Sequence, residues 1–315
     1  MKKILANDGM EKEGIALLEK AGYIVITENA AQAELADVIN ENGYVALTVR
    51  SATKVNKAVI DKCPGLRLIA RGGVGMDNID VDYAKSKNIQ VVNTPAASSL
   101  SVAELVFGHI FSMARLLDFS NKKMPENGQK EFAQLKKTCS KGIELNGKTL
   151  GIIGFGRIGQ AVGKIGVSLG MRILAYDPYI SDANLELDLP VNPKVKVNVK
   201  TTTLDEVLSH SDFISMHVPG GEVITAKEIK KMKKGVMLVN AARGGVINES
   251  DLIEGLNSGH IAHAALDVFT GEPAPKKEIL SHPKISLSPH IGGSTEEAQQ
   301  RIAVELAEKI IHFLQ

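Results

Sequence analysis

Tryptophan is absent from this chain of 315 residues, and aromatic residues make up only 4% of it. Cysteine occurs only as Cys63 and Cys139. Two isolated cysteines form neither a disulfide framework nor a metal-ligand pattern, so we predict a reducing, cytoplasmic compartment and no metal. The basic start of the chain, MKKILANDGM, lacks an apolar run of signal-peptide length, and no segment reaches transmembrane length.

A strong charge of one sign is missing as well. The formal net charge is +1 at pH 7, so the composition favours neither a nucleic acid nor a membrane as a partner. The apolar content of 44% is ordinary for a globular protein. Because the chain is too long for one small core, we expect two domains.

The segment that organises the rest of the chain covers residues 148–177 and reads KTLGIIGFGRIGQAVGKIGVSLGMRILAYD. The apolar stretch Thr149–Ile153 predicts a strand, and a helical stretch then runs to Gly170. A second predicted strand, Arg172–Tyr176, ends at Asp177. The order strand, helix, strand is the context that a dinucleotide-binding loop requires.

Three glycines after the first strand, Gly154, Gly156 and Gly159, have the spacing G-x-G-x-x-G. The first permits a tight turn, the second lets a pyrophosphate approach the backbone, and the third lets the helix pack close to the sheet. The helix start also offers N–H groups to phosphates. Asp177 is placed to accept hydrogen bonds from ribose hydroxyls and to repel a 2′-phosphate, so we predict NAD rather than NADP.

Strands and helices alternate along the whole chain, which predicts an α/β fold with parallel sheets covered on both faces. We expect a first domain formed by residues 1–98 plus 292–315 and a second formed by residues 99–291. The other predicted strands are Lys2–Ala6, Tyr23–Thr27, Tyr44–Val49, Leu66–Ala70, Ile89–Val92, Asp212–Val218, Val236–Ala241, Ala264–Val268 and Ile285–Ser288.

Two capping boxes predict helix starts. The first, Ser101 to Glu104, opens a helix from Val102 to about Phe119 that is apolar on nearly every side, so we expect it to be buried between domains or against another subunit. Its His109 is expected to be a satisfied core histidine. The second box, residues 294–297, opens a last amphipathic helix that runs nearly to the end of the chain.

Three polar segments each follow a predicted strand: VNAARGG (239–245), ALDVFTGEP (265–273) and SPHIGGST (288–295). They bring Arg243, Glu272 and His290 to the carboxyl edge of the sheet, where ligands bind in such folds. An arginine can hold a carboxylate by two bonds, and a histidine oriented by a carboxylate can exchange a proton. His217 also ends a predicted strand, and spacing alone does not choose between it and His290 as the base.

Five segments carry a resemblance to a known family: RGGVGMDNID (71–80), GIIGFGRIG (151–159), VNAARGGVINE (239–249), ALDVFTGEP (265–273) and SPHIGGSTEEAQ (288–299). Over nearly its whole length the chain resembles the D-isomer-specific 2-hydroxy-acid dehydrogenases. The resemblance implies two doubly wound parallel-sheet domains, a Rossmann NAD domain inserted into a flavodoxin-like substrate domain. It also implies catalytic roles for Arg243 in substrate binding, Glu272 as the partner of the histidine and His290 as the acid and base.

The same resemblance implies the residues that contact NAD. Besides the glycines of the loop and Asp177, they are Arg157, Ile158, Val218, Pro219, Ala241, Ala242, Asp267, Gly292, Gly293 and Val74. Asp267 typically holds the nicotinamide amide, and Val74 stands where a threonine is common. The implied partner is a small-molecule substrate, and the implied assembly is a homodimer.

A narrower likeness, carried by VRSATKV (49–55) and HIGGSTEEAQ (290–299), is to family members that oxidise a phosphorylated hydroxy acid. The predicted substrate-binding residues are Arg50, Lys54, Arg71, Gly72 and Gly73. Ser51 and Thr53 are expected to cap the next helix and so to form an anion site. Two other interpretations stay open: a reductase of an unphosphorylated 2-oxo acid, and an NAD-sensing corepressor that binds partner proteins.

Several features depart from the family pattern. The loop after Pro219, PGGEVITAKEI, is shorter than usual, which puts the cofactor contacts there in question. The segment 181–203 is longer, and the alternation at Val195–Val199 predicts an extra half-exposed strand. The chain ends soon after His290, so we expect no C-terminal serine-binding regulatory domain.

Overall fold

The computed structural model describes residues 1–187 and 195–315. They form two compact units: unit 1 comprises Met1–Ser99 with Gly293–Gln315, and unit 2 comprises Leu100–Gly292. The predicted long segment 181–203 is therefore described only in part, because residues 188–194 lie outside the described residues.

The strands of the described residues follow the chain in this order: β1 (Lys3–Ala6), β2 (Ile24–Ile26), β3 (Tyr44–Val49), β4 (Leu68–Arg71), β5 (Gln90–Asn93), β6 (Thr149–Ile153), β7 (Arg172–Tyr176), β8 (Asp182–Leu187), β9 (Val195–Lys200), β10 (Phe213–Met216), β11 (Val236–Asn240), β12 (Ile261–Leu266) and β13 (Ile285–Leu287).

The helices are α1 (Lys12–Lys20), α2 (Leu35–Asn42), α3 (Lys57–Lys62), α4 (Val81–Ser86), α5 (Ser99–Arg115), α6 (Leu117–Cys139), α7 (Arg157–Ser168), α8 (Leu204–His210), α9 (Ala226–Lys231), α10 (Glu249–Asn257), α11 (Lys277–Ser281) and α12 (Glu296–Leu314).

Unit 1 contains a parallel sheet in the order β2-β1-β3-β4-β5. Successive strand residues point to opposite faces. On β1, Ile4 therefore packs with Leu306 and Ile310 of α12, while Leu5 packs on the other face with Leu35 of α2. Because both faces are covered, the inner strands β1, β3 and β4 are largely apolar and buried, as is typical of parallel sheets.

Unit 2 contains a parallel sheet in the order β13-β12-β11-β10-β6-β7. It is also covered on both faces, so Ile152 lies in one apolar core and Ile153 in the other. The two parallel sheets confirm the predicted α/β class. In the second sheet the chain reverses direction across the sheet between β6 and β10, which is where such folds bind nucleotides.

The extra strand predicted at 195–199 is confirmed as β9, and it pairs antiparallel with β8, which the sequence did not predict. Leu185 of β8 is fully buried. A Cβ at Gly163 of α7 would lie 3.1 Å from its Cδ1, so the missing side chain at Gly163 makes room for β8 against the helix.

Two predicted helix boundaries were wrong. Helix α5 begins at Ser99, so Ser101 lies inside the helix and does not cap it. It ends at Arg115 instead of near Phe119, because Leu116 adopts the left-handed conformation (φ 54°) and separates α5 from α6. The buried character of α5 and the core placement of His109 were predicted correctly.

The cap of the last helix also differs by one residue from the predicted box. The hydroxyl of Thr295, and not that of Ser294, accepts a hydrogen bond from the Ala298 N–H, so α12 begins at Glu296. Within the described ranges no single helix is long and apolar enough to cross a membrane, and the bent pair α5 and α6 meets these criteria only when both helices are taken together.

Candidate active site

The glycine-rich loop between β6 and α7 has the geometry that its sequence predicts. Gly154 has a positive φ of 92°, and a Cβ there would lie 2.5 Å from the carbonyl oxygen of His217. A Cβ at Gly159 would lie 2.1 Å from the Gly154 oxygen, so the helix could not pack this closely with any other residue. At Gly156, in contrast, a Cβ would meet nothing within 4 Å. The open space at the helix start fits the approach of a pyrophosphate.

Asp177 follows β7 at the same edge of the sheet. Its Oδ2 accepts a hydrogen bond from Phe155 N at 2.7 Å, and its Oδ1 accepts from Tyr179 N at 2.8 Å and Ile180 N at 3.1 Å. The carboxylate therefore fastens the glycine-rich loop to the end of β7. Since an ionised carboxylate has about four acceptor positions, it keeps capacity for a further donor such as a ribose hydroxyl.

Glu272 and His290 form a pair at the ends of neighbouring strands. The segment after β12 carries Glu272, the segment after β13 carries His290, and Glu272 Oε2 lies 2.8 Å from His290 Nδ1. The ring is 53% exposed, and the carboxylate is 34% exposed. Because Nδ1 faces the carboxylate, a neutral ring keeps its proton there and leaves Nε2 as the atom that can accept a proton.

The loop that carries Glu272 is fixed by two carboxylates. Glu272 Oε1 accepts from Phe269 N at 2.7 Å, and Glu249, at the start of α10, accepts from Thr270 N at 2.7 Å. Sequence reasoning missed Glu249. Its position in the VINE segment at a helix start was visible, but its partner is 21 residues away in the chain.

Asp267 is 1% exposed and binds the segment that follows His290. Its Oδ1 accepts from Ile291 N and its Oδ2 from Gly292 N, both at 2.8 Å. It also accepts the hydroxyl of Ser288 at 2.6 Å. The residue that the family resemblance assigns to the nicotinamide amide thus also shapes the backbone around the histidine.

Arg243 lies in the loop after β11, the strand that pairs with β12. Its Nη1 donates to the carbonyl of Ala242 at 2.7 Å. Asn240 shapes the loop from both sides, since it donates to the Arg243 carbonyl at 2.9 Å and accepts from Ala242 N at 3.1 Å. Arg243, Glu272 and His290 therefore follow three adjacent parallel strands at one edge of the sheet.

The competing base, His217, lies in a different environment. Its Nε2 is 2.8 Å from the hydroxyl of Ser215, and its buried Nδ1 has no hydrogen-bond partner among the described residues. Burial lowers the pKa of His217 to about 3. A ring that stays neutral and lacks a carboxylate partner is a poor acid, so the geometry favours His290.

The remaining predicted NAD contacts of unit 2 lie in loops or at a helix start at the same sheet edge. Val218 and Pro219 follow β10, Ala241 and Ala242 follow β11, and Arg157 and Ile158 begin α7. In the loop after Pro219, Gly220 and Gly221 have positive φ values of 147° and 82°, which allow the chain to turn at once after the proline. Val74 and Gly293 belong to unit 1.

Unit 1 carries the predicted substrate-binding residues. Arg50 directly follows β3 and donates to Gln299 of α12, while Arg71 ends β4. A Cβ at Gly73 would lie 1.8 Å from Arg71 Nη1, so the glycine provides the space that the guanidinium fills. Lys54 is exposed, and its backbone N–H and carbonyl both bond to Gln32.

The predicted anion site at the start of the next helix was wrong. Helix α3 begins at Lys57, with Asn56 as its cap. The N–H groups of Arg50 and Thr53 instead donate to the carboxylate of Asp8, at 2.6 and 3.2 Å, and the Thr53 hydroxyl does so at 2.6 Å. An internal carboxylate thus occupies donors in the segment where the sequence predicts an anion site.

The described residues contain no group of three or more His, Cys, Asp or Glu side chains that could hold a metal ion. The profile of the D-isomer specific 2-hydroxyacid dehydrogenase NAD binding domain matches residues 107–292. This range contains the glycine-rich loop, the first two polar segments and residues 288–292 of the third.

The chain is 44% identical to the hydroxypyruvate reductase of Thermotoga maritima, over 99% of this chain and 98% of the relative. It is 41% identical to the D-3-phosphoglycerate dehydrogenase of Methanocaldococcus jannaschii, over 98% of this chain but only 57% of the relative. Among solved structures, D-lactate dehydrogenase from Aquifex aeolicus, in complex with NAD and lactic acid, superposes with a TM-score of 0.75 at 27% identity, covering 99% of this chain and 95% of that chain.

Proposed function

Because the chain belongs to the D-isomer-specific 2-hydroxyacid dehydrogenases and carries their NAD-binding domain, we propose that it oxidises 3-phospho-D-glycerate to 3-phosphohydroxypyruvate, the first step of serine synthesis from glycolysis. The observation that carries the chemistry is the 2.8 Å contact between His290 and Glu272. The phosphorylated substrate is supported by Arg50 and Arg71, both at strand ends of unit 1.

In this proposal His290 Nε2 takes the hydroxyl proton as the C2–H bond breaks. Bound NAD would supply the acceptor for the hydride that leaves C2. Glu272 holds Nδ1–H and so fixes the tautomer and the orientation of the ring. Arg243 binds the substrate carboxylate and polarises the adjacent oxygen. In the reverse direction the charged His290 returns the proton to the carbonyl oxygen.

Unit 1 would contribute the cations for the phosphate. Arg50 and Arg71 can each bind a phosphate with several N–H donors, while Lys54 offers a point charge. Gly72 and Gly73 follow Arg71 and would let the substrate approach the backbone. Val74 and Gly293 are proposed as cofactor contacts on the same basis of family resemblance.

Hydroxypyruvate is the second candidate substrate, because the relative from Thermotoga maritima is a hydroxypyruvate reductase that matches 98% of its own length. A substrate panel separates the two. Wild-type protein is assayed with 3-phosphoglycerate, glycerate, hydroxypyruvate, glyoxylate and D-lactate in the appropriate direction. We expect the highest kcat/KM for 3-phosphoglycerate. If kcat/KM is instead higher by orders of magnitude for hydroxypyruvate, hydroxypyruvate replaces 3-phosphoglycerate as the proposed substrate. Binding of NADH without turnover of any of these acids would indicate a binding protein instead.

We also propose a homodimer. Helices α5 and α6 carry exposed apolar side chains, among them Phe111 (39% exposed), Leu117 (52%) and Phe132 (57%). Apolar side chains of this size are usually covered when they form a patch. Sedimentation at micromolar concentration should give twice the mass of the chain, and a monomer would reject the proposal.

A further inference from the structure

We propose that His109 and Ser288 are positioning residues that act through Asp267 to hold the catalytic loop around His290. The inference rests on the proposed function, because it assigns His290 the role of acid and base. His109 lies on α5 and has no place in the proposed chemistry, although it is one of the most enclosed histidines of unit 2.

A chain of three side chains links α5 to the loop. His109 Nε2 lies 2.9 Å from the Ser288 hydroxyl, and that hydroxyl donates to Asp267 Oδ1 at 2.6 Å. Asp267 then accepts the N–H groups of Ile291 and Gly292, each at 2.8 Å. All five residues belong to unit 2.

The protons of this chain can be assigned by counting donors. An ionised Asp267 only accepts, so the single hydroxyl proton of Ser288 must point to it. Ser288 then accepts from His109, which places the ring proton on Nε2. Nδ1 is left as an acceptor for the hydroxyl of Ser286, 2.9 Å away. Burial lowers the pKa of His109, in agreement with a neutral ring.

The backbone at His290 needs such support. Its φ is +56°, in the left-handed region that side chains other than glycine rarely adopt. The network holds the chain at Ser288 before this residue and at Ile291 and Gly292 after it. Strained backbone of this kind persists only where the surroundings fix it, and a catalytic group must be held to within a fraction of an ångström.

The test compares Ser288→Ala with Ser286→Ala. Each removes one hydroxyl that lies 2.9 Å from the same His109 ring, but only Ser288 also contacts Asp267. His109→Gln, which keeps an N–H donor, is compared with His109→Leu, which has a side chain of comparable size but no hydrogen-bonding group. For each variant we measure kcat and KM on the best substrate, and hydrogen exchange of the Ile291 and Gly292 amides.

We expect Ser288→Ala to lower kcat about tenfold with little change in KM and to accelerate exchange of both amides. Ser286→Ala should stay within about twofold of wild type in kcat and leave the exchange unchanged. His109→Leu should resemble Ser288→Ala, and His109→Gln should recover part of the loss. Equal effects of the two serine variants on exchange, or a wild-type kcat in Ser288→Ala, would overturn the inference.

Failure of the proposed function can be distinguished from failure of this inference. If the wild-type protein turns over no hydroxy or oxo acid, the function is wrong, while the exchange of the two amides still decides whether Ser288 and Asp267 hold the loop.

Discussion

Both units shape the loops at their sheet edges with carboxylates that accept backbone N–H groups, but the consequences differ. In unit 2, Asp267 fixes the segment after β13 and leaves the ring of His290 53% exposed. In unit 1, Asp8 binds the N–H groups of Arg50 and Thr53, in the segment where the sequence predicts an anion site. If this segment of unit 1 binds a phosphate, we expect arginine and lysine side chains, and not these two N–H groups, to make the contacts.

The largest expected effect tests the chemistry assigned to unit 2. His290→Gln removes the group that exchanges the proton, so kcat should fall by about 10²–10⁴-fold, the usual contribution of a general acid or base. Steady-state kinetics with saturating NAD measures this. The exposed His312→Gln in unit 1 serves as the control and should retain wild-type kcat. A loss below fivefold in His290→Gln would transfer the role to another group.

Much of the frame of this site could be predicted from sequence. Strands β6 and β7 were predicted to the residue, because their apolar runs are bounded by Gly154 after β6, by Gly170 shortly before β7 and by Asp177 after β7. The predicted strand order placed Glu272 and His290 at one edge of the sheet, and the family resemblance implied that they pair. These features depend on local pattern and on sheet order, which the sequence carries directly.

What could not be predicted depends on distant partners. Nothing near Thr53 shows that Asp8, 45 residues earlier, takes its N–H and hydroxyl. The break at Leu116 is equally invisible, because leucine is a good helix former and its left-handed conformation is imposed by its surroundings. Glu249 and Ser288 acquire their roles in the same way, through contacts made only in the folded chain.

A second, smaller effect is expected from the Arg50 side chain in unit 1. If side chains rather than backbone amides bind the phosphate, Arg50→Ala should lower kcat/KM for 3-phosphoglycerate by about 10- to 100-fold, through loss of a charge-assisted contact. Activity on unphosphorylated acids should change far less. Lys54→Ala is the matched cation control and should cost less, because Lys54 is exposed and flexible. Equal losses on phosphorylated and unphosphorylated acids would remove the phosphate role from Arg50.

A smaller effect is expected on the choice between NAD and NADP, which we assign to Asp177 of unit 2. Asp177→Ser removes the negative charge that opposes a 2′-phosphate, so the ratio of kcat/KM for NADP to that for NAD should rise about tenfold. The variant also loses acceptors for the N–H groups of Phe155 and Tyr179, so activity with NAD should fall. Asp182→Ser, at an exposed acid in the neighbouring β8, is the control and should keep the preference for NAD. An unchanged ratio in Asp177→Ser would assign cofactor choice elsewhere.

The smallest effect concerns stability, and it separates the two units by their response to acid. The histidines whose pKa is lowered by burial, His109, His217, His263 and His282, all lie in unit 2. For His217 the pKa falls from 6.5 to about 3. Below pH 6.5 the unfolded chain therefore binds a proton that the folded chain excludes, so the free energy of unfolding decreases as the pH falls.

Between pH 7 and pH 5 this one ring should cost about 2 kcal/mol, since each pH unit in the affected range is worth 1.36 kcal/mol. His217→Gln removes the titrating group, and its loss of stability over that range should be smaller than that of wild type by this amount. Denaturant unfolding at the two pH values measures the difference. His282→Gln removes a less enclosed ring and should recover less. If His217→Gln and wild type lose equal stability, the acid response of unit 2 must come from groups other than this buried imidazole.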